Sequence, residues 1–347
     1  MKFALFSNDR RPNRPIGDAW DQDIREIVTA DEVGFSEAWI SEHEASADLI
    51  ICRAAGLTRQ IKLGSAVRVL PIYHPLQVAN DAAACDQLTH GRYILGVGPG
   101  FQTKKLKWRA IPENEMRDRA EEALTHLLHI LKNPKQTKLD GKYYKGDDVQ
   151  VGLDFVQKPH PPVALSVANT PASAFTAGKL GLLMITSDFM SAKKLRGLAE
   201  SFDEGQRTAG LPADRTPVHG CRVVYVAGTD REARDDMRAC YNAVIKWEIA
   251  NTPWHQQDRI PPGGTLDDIT FDYLVDSGNL FVGSAKTVAQ MIQEYFAETG
   301  GFGTLNFHCG RDYATPDKFN ESLRRFMKEV APMVGHLMPK TAASRVA

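Results

Sequence analysis

The chain has 347 residues, 43% of them hydrophobic and 24% charged, and a formal net charge of −1. That composition supports a full apolar core and excludes disordered and fibrous classes. Basic residues spread along the chain leave no electrostatic footprint for nucleic acid or an anionic membrane surface, so a small molecule is the expected partner.

Lys2–Ser7 reads as a first strand and Trp20–Val33 as a first helix, stopped by Gly34. In Gly34-Phe35-Ser36-Glu37-Ala38-Trp39-Ile40-Ser41 the alternation of Ala38 and Ile40 with Trp39 predicts strand two, which ends in Glu42, His43 and Glu44. Ile61–Leu70 is strand three and Pro75–Leu88 a helix with proline at an early position, where its missing N–H costs nothing. Arg92–Val97 is strand four, and Glu113–Leu131 an amphipathic helix, apolar at Ala120, Leu124, Leu127, Leu128 and Leu131. Residues 134–162 carry Asp140-Gly141 and Gly146-Asp147-Asp148 and suit an excursion such as a hairpin. The alternation resumes with strand five (Pro162–Val167), a helix from Thr170 to Lys179 and strand six (Leu182–Thr186). Ala192–Gly210 (helix), Val218–Ala227 (strand seven) and Asp230–Trp247 (helix) follow. A second excursion, residues 248–280, is aromatic and turn-rich around Pro261-Pro262-Gly263-Gly264, before a helix over Ser284–Thr299, strand eight (Thr304–His308) and a last helix over Pro316–Val334. This order predicts one α/β domain over residues 1–347: a single eight-stranded parallel β/α (TIM) barrel with two insertions, at about 134–162 and 248–280.

In such a barrel the carboxyl ends of the strands carry the chemistry, so His43 between carboxyl groups is a candidate proton carrier; a charged solvent loop is the other reading. Gly96-Val97-Gly98-Pro99-Gly100 lacks the spacing and the following helix of a dinucleotide fingerprint. Either its glycines clear a surface for a flat ring, or they make a tight exit turn. Asn169, Thr170 and Ser173 surround a predicted helix start, where free N–H groups attract an anion, although ordinary capping accounts for part of that pattern. Glu122, His126 and His129 share a helical face at metal-like spacing, but nothing else joins them and an exposed face explains them; no metal is expected. The five cysteines, Cys52, Cys85, Cys221, Cys240 and Cys309, are scattered and read as free thiols of a reducing compartment. The apolar start Met1–Phe6 is too short for a signal-peptide core and no apolar run spans a membrane, so a cytoplasmic protein is expected.

The order of Gly34-Phe35 to Glu42-His43, Leu63-Gly64 to Leu70-Pro71 and His74-Pro75, Asp86-Gln87-Leu88 through Gly91-Arg92 to Gly98-Pro99-Gly100, and Val282-Gly283-Ser284 to Gly300-Gly301-Phe302 resembles the bacterial luciferase-like flavin-dependent monooxygenases, including alkanal and limonene monooxygenases. The resemblance implies a barrel binding reduced FMN delivered by a separate reductase, O2 as co-substrate, and a homodimer. It implies His43 as the catalytic histidine with Glu42 beside it, and a non-prolyl cis peptide at Ala66-Val67 under the flavin. It further implies Gly98, Phe101 and Val167 near the ring, Asn169, Thr170 and Ser173 at the phosphate, and Arg117 as a basic residue of the cofactor site. A reactive cysteine and its adjacent arginine are replaced by Gly98 and Pro99, and a carboxylate by Asn169, which argues against light emission.

The chemistry implied is oxygen transfer from a flavin hydroperoxide to a small, largely apolar or carbonyl-bearing substrate. The excursion at 248–280, with Trp254 and the preceding Trp247, is expected to cover the flavin and form the substrate pocket. Two other readings stay open: a deazaflavin-dependent dehydrogenase on the same barrel, and a non-catalytic flavin-binding protein. The small residues of Val78–Cys85 suit either a dimer contact or packing within the protomer.

Overall fold

The computed structural model describes residues 1–8, 11, 14–43, 45–100, 107–188 and 190–339. Strands and helices alternate in the expected order. Strand β1 (Lys2–Ser7) leads to a helix at Ile16–Val33, then β2 (Glu37–Ile40), a helix at Ala47–Ala55, β3 (Lys62–Ser65), β4 (Arg68–Val69), a helix at Pro75–Leu88 and β5 (Tyr93–Gly98). After a helix at Met116–Lys132 come β6 (Thr137–Asp140), β7 (Lys145–Val149) and β8 (Val163–Ser166), a helix at Pro171–Lys179, β9 (Leu183–Ile185), a helix at Ala192–Thr208 and β10 (His219–Val226). The chain closes with helices at Asp230–Asn251 and Phe271–Asp276, β11 (Leu280–Gly283), a helix at Ala285–Thr299, β12 (Thr304–Cys309) and helical segments between Pro316 and Val334. No helix among the described residues is long and apolar enough to cross a membrane.

Two compact units are present, Met1–Ala38 with Val167–Ala347, and Trp39–Ser166. In the first, β11, β10, β12 and β1 lie side by side and parallel, with Val224 opposite Phe281, Cys221 opposite Asn306 and Phe3 opposite Leu305. In the second, β3, β5 and β8 are parallel, with Leu63 opposite Tyr93 and Leu95 opposite Val163, and β4 also pairs with β5. All residues of β5, β10 and β12 are buried; β5 accordingly reads as a continuous apolar run, whereas β10 and β12 bury His219, Arg222, Asn306 and His308 among their apolar residues.

Glycine placement decides the packing of the second unit. A Cβ on Gly64 would lie 2.5 Å from Trp39 Cε3, and one on Gly96 would lie 1.8 Å from the Ser65 carbonyl oxygen. The indole of Trp39, 0% exposed, occupies the space those missing methyls leave. A buried aromatic of this size contributes on the order of 2–3 kcal/mol.

Three departures from the expected elements have local causes. Strand three is interrupted after Ser65, where the Ala66–Val67 peptide bond is cis, at the position where the family resemblance implies one. The Ala47–Ala55 helix, capped by Ser46 accepting from the Asp48 N–H, is a nine-residue element whose sequence pattern is too short to announce it. Residues 134–162 do form a hairpin, β6 with β7. Residues 248–280 are three short 3-10 turns, a helix and strand β11; Ile269, Phe271, Leu274 and Val275 are buried, so this segment supplies core to the first unit instead of merely covering it.

Candidate active site

In the second unit, Glu42 and His43 follow directly on β2 and both are buried. The partners of Glu42 come from β4 and the turn that follows it. Arg68 on β4 places Nε 3.3 Å from Glu42 Oε2 and an NH2 nitrogen 3.0 Å from Asp81, and it also ion-pairs with Asp48. The Tyr73 hydroxyl donates to Glu42 Oε1 at 3.0 Å, while the Tyr73 ring lies 4.4 Å from the Arg68 guanidinium. The Tyr93 hydroxyl donates to Asp48 Oδ1 at 2.7 Å. Burial pushes the Tyr73 phenol up to about 12, with Glu42 adding to the effect, so it stays a proton donor at neutral pH. Burial opposes the charge on Arg68, but Asp48, Tyr93 and Glu42 outweigh it and hold the guanidinium firmly protonated. Glu42 is thus held by a cation on one oxygen and a phenol on the other.

Among the flavin-ring positions, Gly98 is closely packed: a Cβ there would meet Val67 Cγ2 at 3.0 Å and Ser166 Cβ at 3.1 Å. Gly100 adopts φ 70°, a left-handed turn conformation that a side chain would strain. The glycine run therefore lets the cis Ala66–Val67 segment and the end of β8 approach β5 and then turns the chain. Phe101 and Glu44 lie outside the described residues. Arg117 is exposed and pairs with Glu121 at 3.0 Å along its own helix. Glu122 accepts backbone N–H groups of Lys142, Tyr143 and Tyr144 at 2.8–3.0 Å. That carboxylate secures the hairpin loop, and the bare backbone of Gly141 leaves it room: a Cβ there would meet Glu122 Oε1 at 2.0 Å unless the side chain moved.

In the first unit Val167 is buried, its N–H donating to the Ile185 carbonyl at 2.9 Å. Asn169 and Thr170 are exposed and Ser173 half-buried at the start of the Pro171–Lys179 helix, which no side chain caps. A second charged cluster, which the sequence reading did not single out, is built from strand ends and the 248–280 segment. Arg259 donates to Asp188 at 2.6 Å and stands 3.6 Å from Glu248, and Arg311 stands 3.4 Å from the other Glu248 oxygen. His308, at the end of β12, lies 3.7 Å from Asp188. Asn8 Nδ2 lies 3.1 Å from His308 Nε2, and His308 Nδ1 is hydrogen-bonded with the Tyr313 hydroxyl. An amide nitrogen only donates, so Nε2 accepts and the ring is neutral. Burial is the main cause, lowering His308 to about 4. Burial also raises Glu248, whereas Asp188 is held low against its own burial by the charge of His308 when that ring is protonated and by Arg259 and Arg311. Trp247 belongs to this cluster, its ring 5.0 Å from the Arg311 guanidinium, while Trp254 is 59% exposed and meets His255 edge-on.

Residues 1–301 match the family described as luciferase-like monooxygenase. The chain belongs to that family. It is 26% identical to 4-hydroxyprotoasukamycin monooxygenase of Streptomyces nodosus subsp. asukaensis, over 99% of this chain and 96% of that protein. It is 27% identical to 3,6-diketocamphane 1,6-monooxygenase of Pseudomonas putida, over 97% and 98% of the two chains. The solved oxygenating constituent of the Pseudomonas putida 3,6-diketocamphane monooxygenase, a type II Baeyer–Villiger enzyme in complex with FMN, superposes with a TM-score of 0.82 at 27% identity, covering 98% of this chain and 99% of that one.

Proposed function

We propose that this luciferase-like monooxygenase is the oxygenating component of a two-component system, taking reduced FMN from a separate reductase and using O2 to oxygenate a small, largely apolar or carbonyl-bearing substrate. The observation that carries the reading is the fixed Glu42–Arg68–Tyr73 arrangement beside buried His43, adjoining the cis Ala66–Val67 segment. The residues of the first unit fit the phosphate of the group: the Pro171–Lys179 helix start is exposed and no side chain caps it, leaving a helix N-terminus for an anion. When bound, reduced FMN supplies the electrons that activate oxygen. The chain's own part is to bind, to keep water out and to place protons. Tyr73 and Arg68 fix the position of Glu42, and His43, next to it in sequence, holds or relays a proton to the reacting oxygen. A homodimer remains part of this reading, although the small residues Val78, Ala79, Ala82 and Ala83 are buried within their own unit, so pairing would use other surface.

The test is oxygen uptake with reduced FMN over a panel that begins with bicyclic ketones and extends to aldehydes, terpenes and aromatics. His43→Ala should fold and bind FMN while product formation falls about a hundredfold or more. Unchanged turnover in that variant would end the assignment of His43. A preparation that binds only a deazaflavin, seen in its absorbance spectrum, would replace the oxygenase reading with the dehydrogenase one.

A further inference from the structure

Cys52 and Cys85 are far apart in sequence, yet their sulfurs stand 3.8 Å apart in the second unit, joined by a thiol–thiol hydrogen bond. The approach follows from the same arginine that holds Glu42. Asp48 and Cys52 are one turn apart on the Ala47–Ala55 helix, and Asp81 and Cys85 are one turn apart on the Pro75–Leu88 helix. Arg68 ion-pairs with both aspartates, so it fastens the two helices at one level and leaves the two thiols facing at the next.

We propose that Cys52 and Cys85 form a peroxide-sensitive dithiol, converted to an intramolecular disulfide by hydrogen peroxide. The Cys52 thiolate attacks one peroxide oxygen, the O–O bond breaks, and with one proton taken up the products are a sulfenic acid at Cys52 and water. The Cys85 sulfur then attacks the sulfenic sulfur, losing its proton as the S–O bond breaks and a second water leaves. The dithiol is oxidised by two electrons and one peroxide is reduced to two waters. Cys52 is half-buried and reachable by so small an oxidant, whereas Cys85 is buried. The hydrogen bond from Cys85 favours the Cys52 thiolate, and the same bond together with burial holds Cys85 as the protonated partner that resolves the sulfenic acid. Closing from the observed separation to about 2.05 Å requires the sulfurs to move together. The other thiols provide contrast: Cys221 and Cys309 are buried and held protonated by that burial, and Cys240 is half-buried like Cys52. The proposal does not rest on the proposed function, because its readout needs neither flavin nor substrate.

The test is titration of the reduced full chain with hydrogen peroxide, alkylation of the remaining thiols and peptide mapping by mass spectrometry. Two of the five thiols should disappear together, giving a Cys52–Cys85 linked peptide that dithiothreitol cleaves. Cys52 should react at least about tenfold faster than Cys240. In Cys85→Ser a sulfenic acid should be trapped by dimedone at Cys52, and in Cys52→Ser Cys85 should stay reduced. Absence of the linked peptide, or oxidation of Cys240 at the same rate as Cys52, would overturn the proposal. Should either serine variant fail to fold, the linked peptide and relative rates in the unaltered chain decide the matter alone.

Discussion

Replacing His308 by glutamine should flatten the acid dependence of stability. The imidazole is buried among Phe6, Asn8, Asp188, Arg259, Arg311 and Tyr313, and its protonation is lowered from an ordinary 6.5 to about 4. The unfolded ring takes up a proton below about 6.5 while the buried ring waits until about 4, so the unfolded state binds more protons in that window. Stability is therefore full above the window and lost as pH falls through it. Between about pH 7.5 and about pH 5 the loss is about 2 kcal/mol, from the standard conversion of a pKa difference into free energy. For a chain of 347 residues this is a fall in Tm of roughly 3 °C beyond other acid effects. Glu248, raised by burial, contributes with the opposite sign but is present in both proteins, so the difference between them isolates the histidine. Glutamine can still accept from Asn8. Paired urea denaturation curves at the two pH values are the assay, and equal acid losses in His308→Gln and the parent would show that the histidine does not titrate as its surroundings require.

Gly96→Ala should abolish soluble folded protein, because the added Cβ would meet a backbone oxygen at 1.8 Å and no rotamer relieves it; expression and thermal melting check this. Tyr73→Phe should cost about 1 kcal/mol through the lost hydrogen bond to Glu42, read from denaturation, and no change would mean that Arg68 alone holds the carboxyl group. Glu122→Ala should leave the global melting temperature nearly unchanged yet speed amide exchange at Lys142, Tyr143 and Tyr144, the groups it accepts from.

Much of the secondary structure was legible because parallel strands buried on both faces declare themselves as apolar runs, as Tyr93–Gly98 does. Glu42 and His43 were legible as polar residues ending such a run. What could not be read was convergence. Asp48, Arg68 and Asp81 sit on three elements, and nothing in their spacing says that one guanidinium holds both carboxylates. Asp188, Glu248, Arg259, His308 and Arg311 span more than a third of the chain, so their meeting is a property of topology. The glycines at Gly96 and Gly98 admitted two readings in sequence, and the atoms that fill the space beside them, Ser65 O and Val67 Cγ2, favour close packing.

The buried Arg259–Asp188 and Arg311–Glu248 pairs set a rule for anyone who recombines members of this family. Removing one partner of such a pair strands the other charge in a dry interior, at a cost of several kcal/mol, whereas replacing both with matched apolar groups is tolerated. Residues 248–280 contribute Glu248 and Arg259, but their counter-charges Asp188 and Arg311 lie in other parts of the chain. A segment exchanged here must travel with those two distant residues, or the chimaera carries charges left without their counter-charges in its interior.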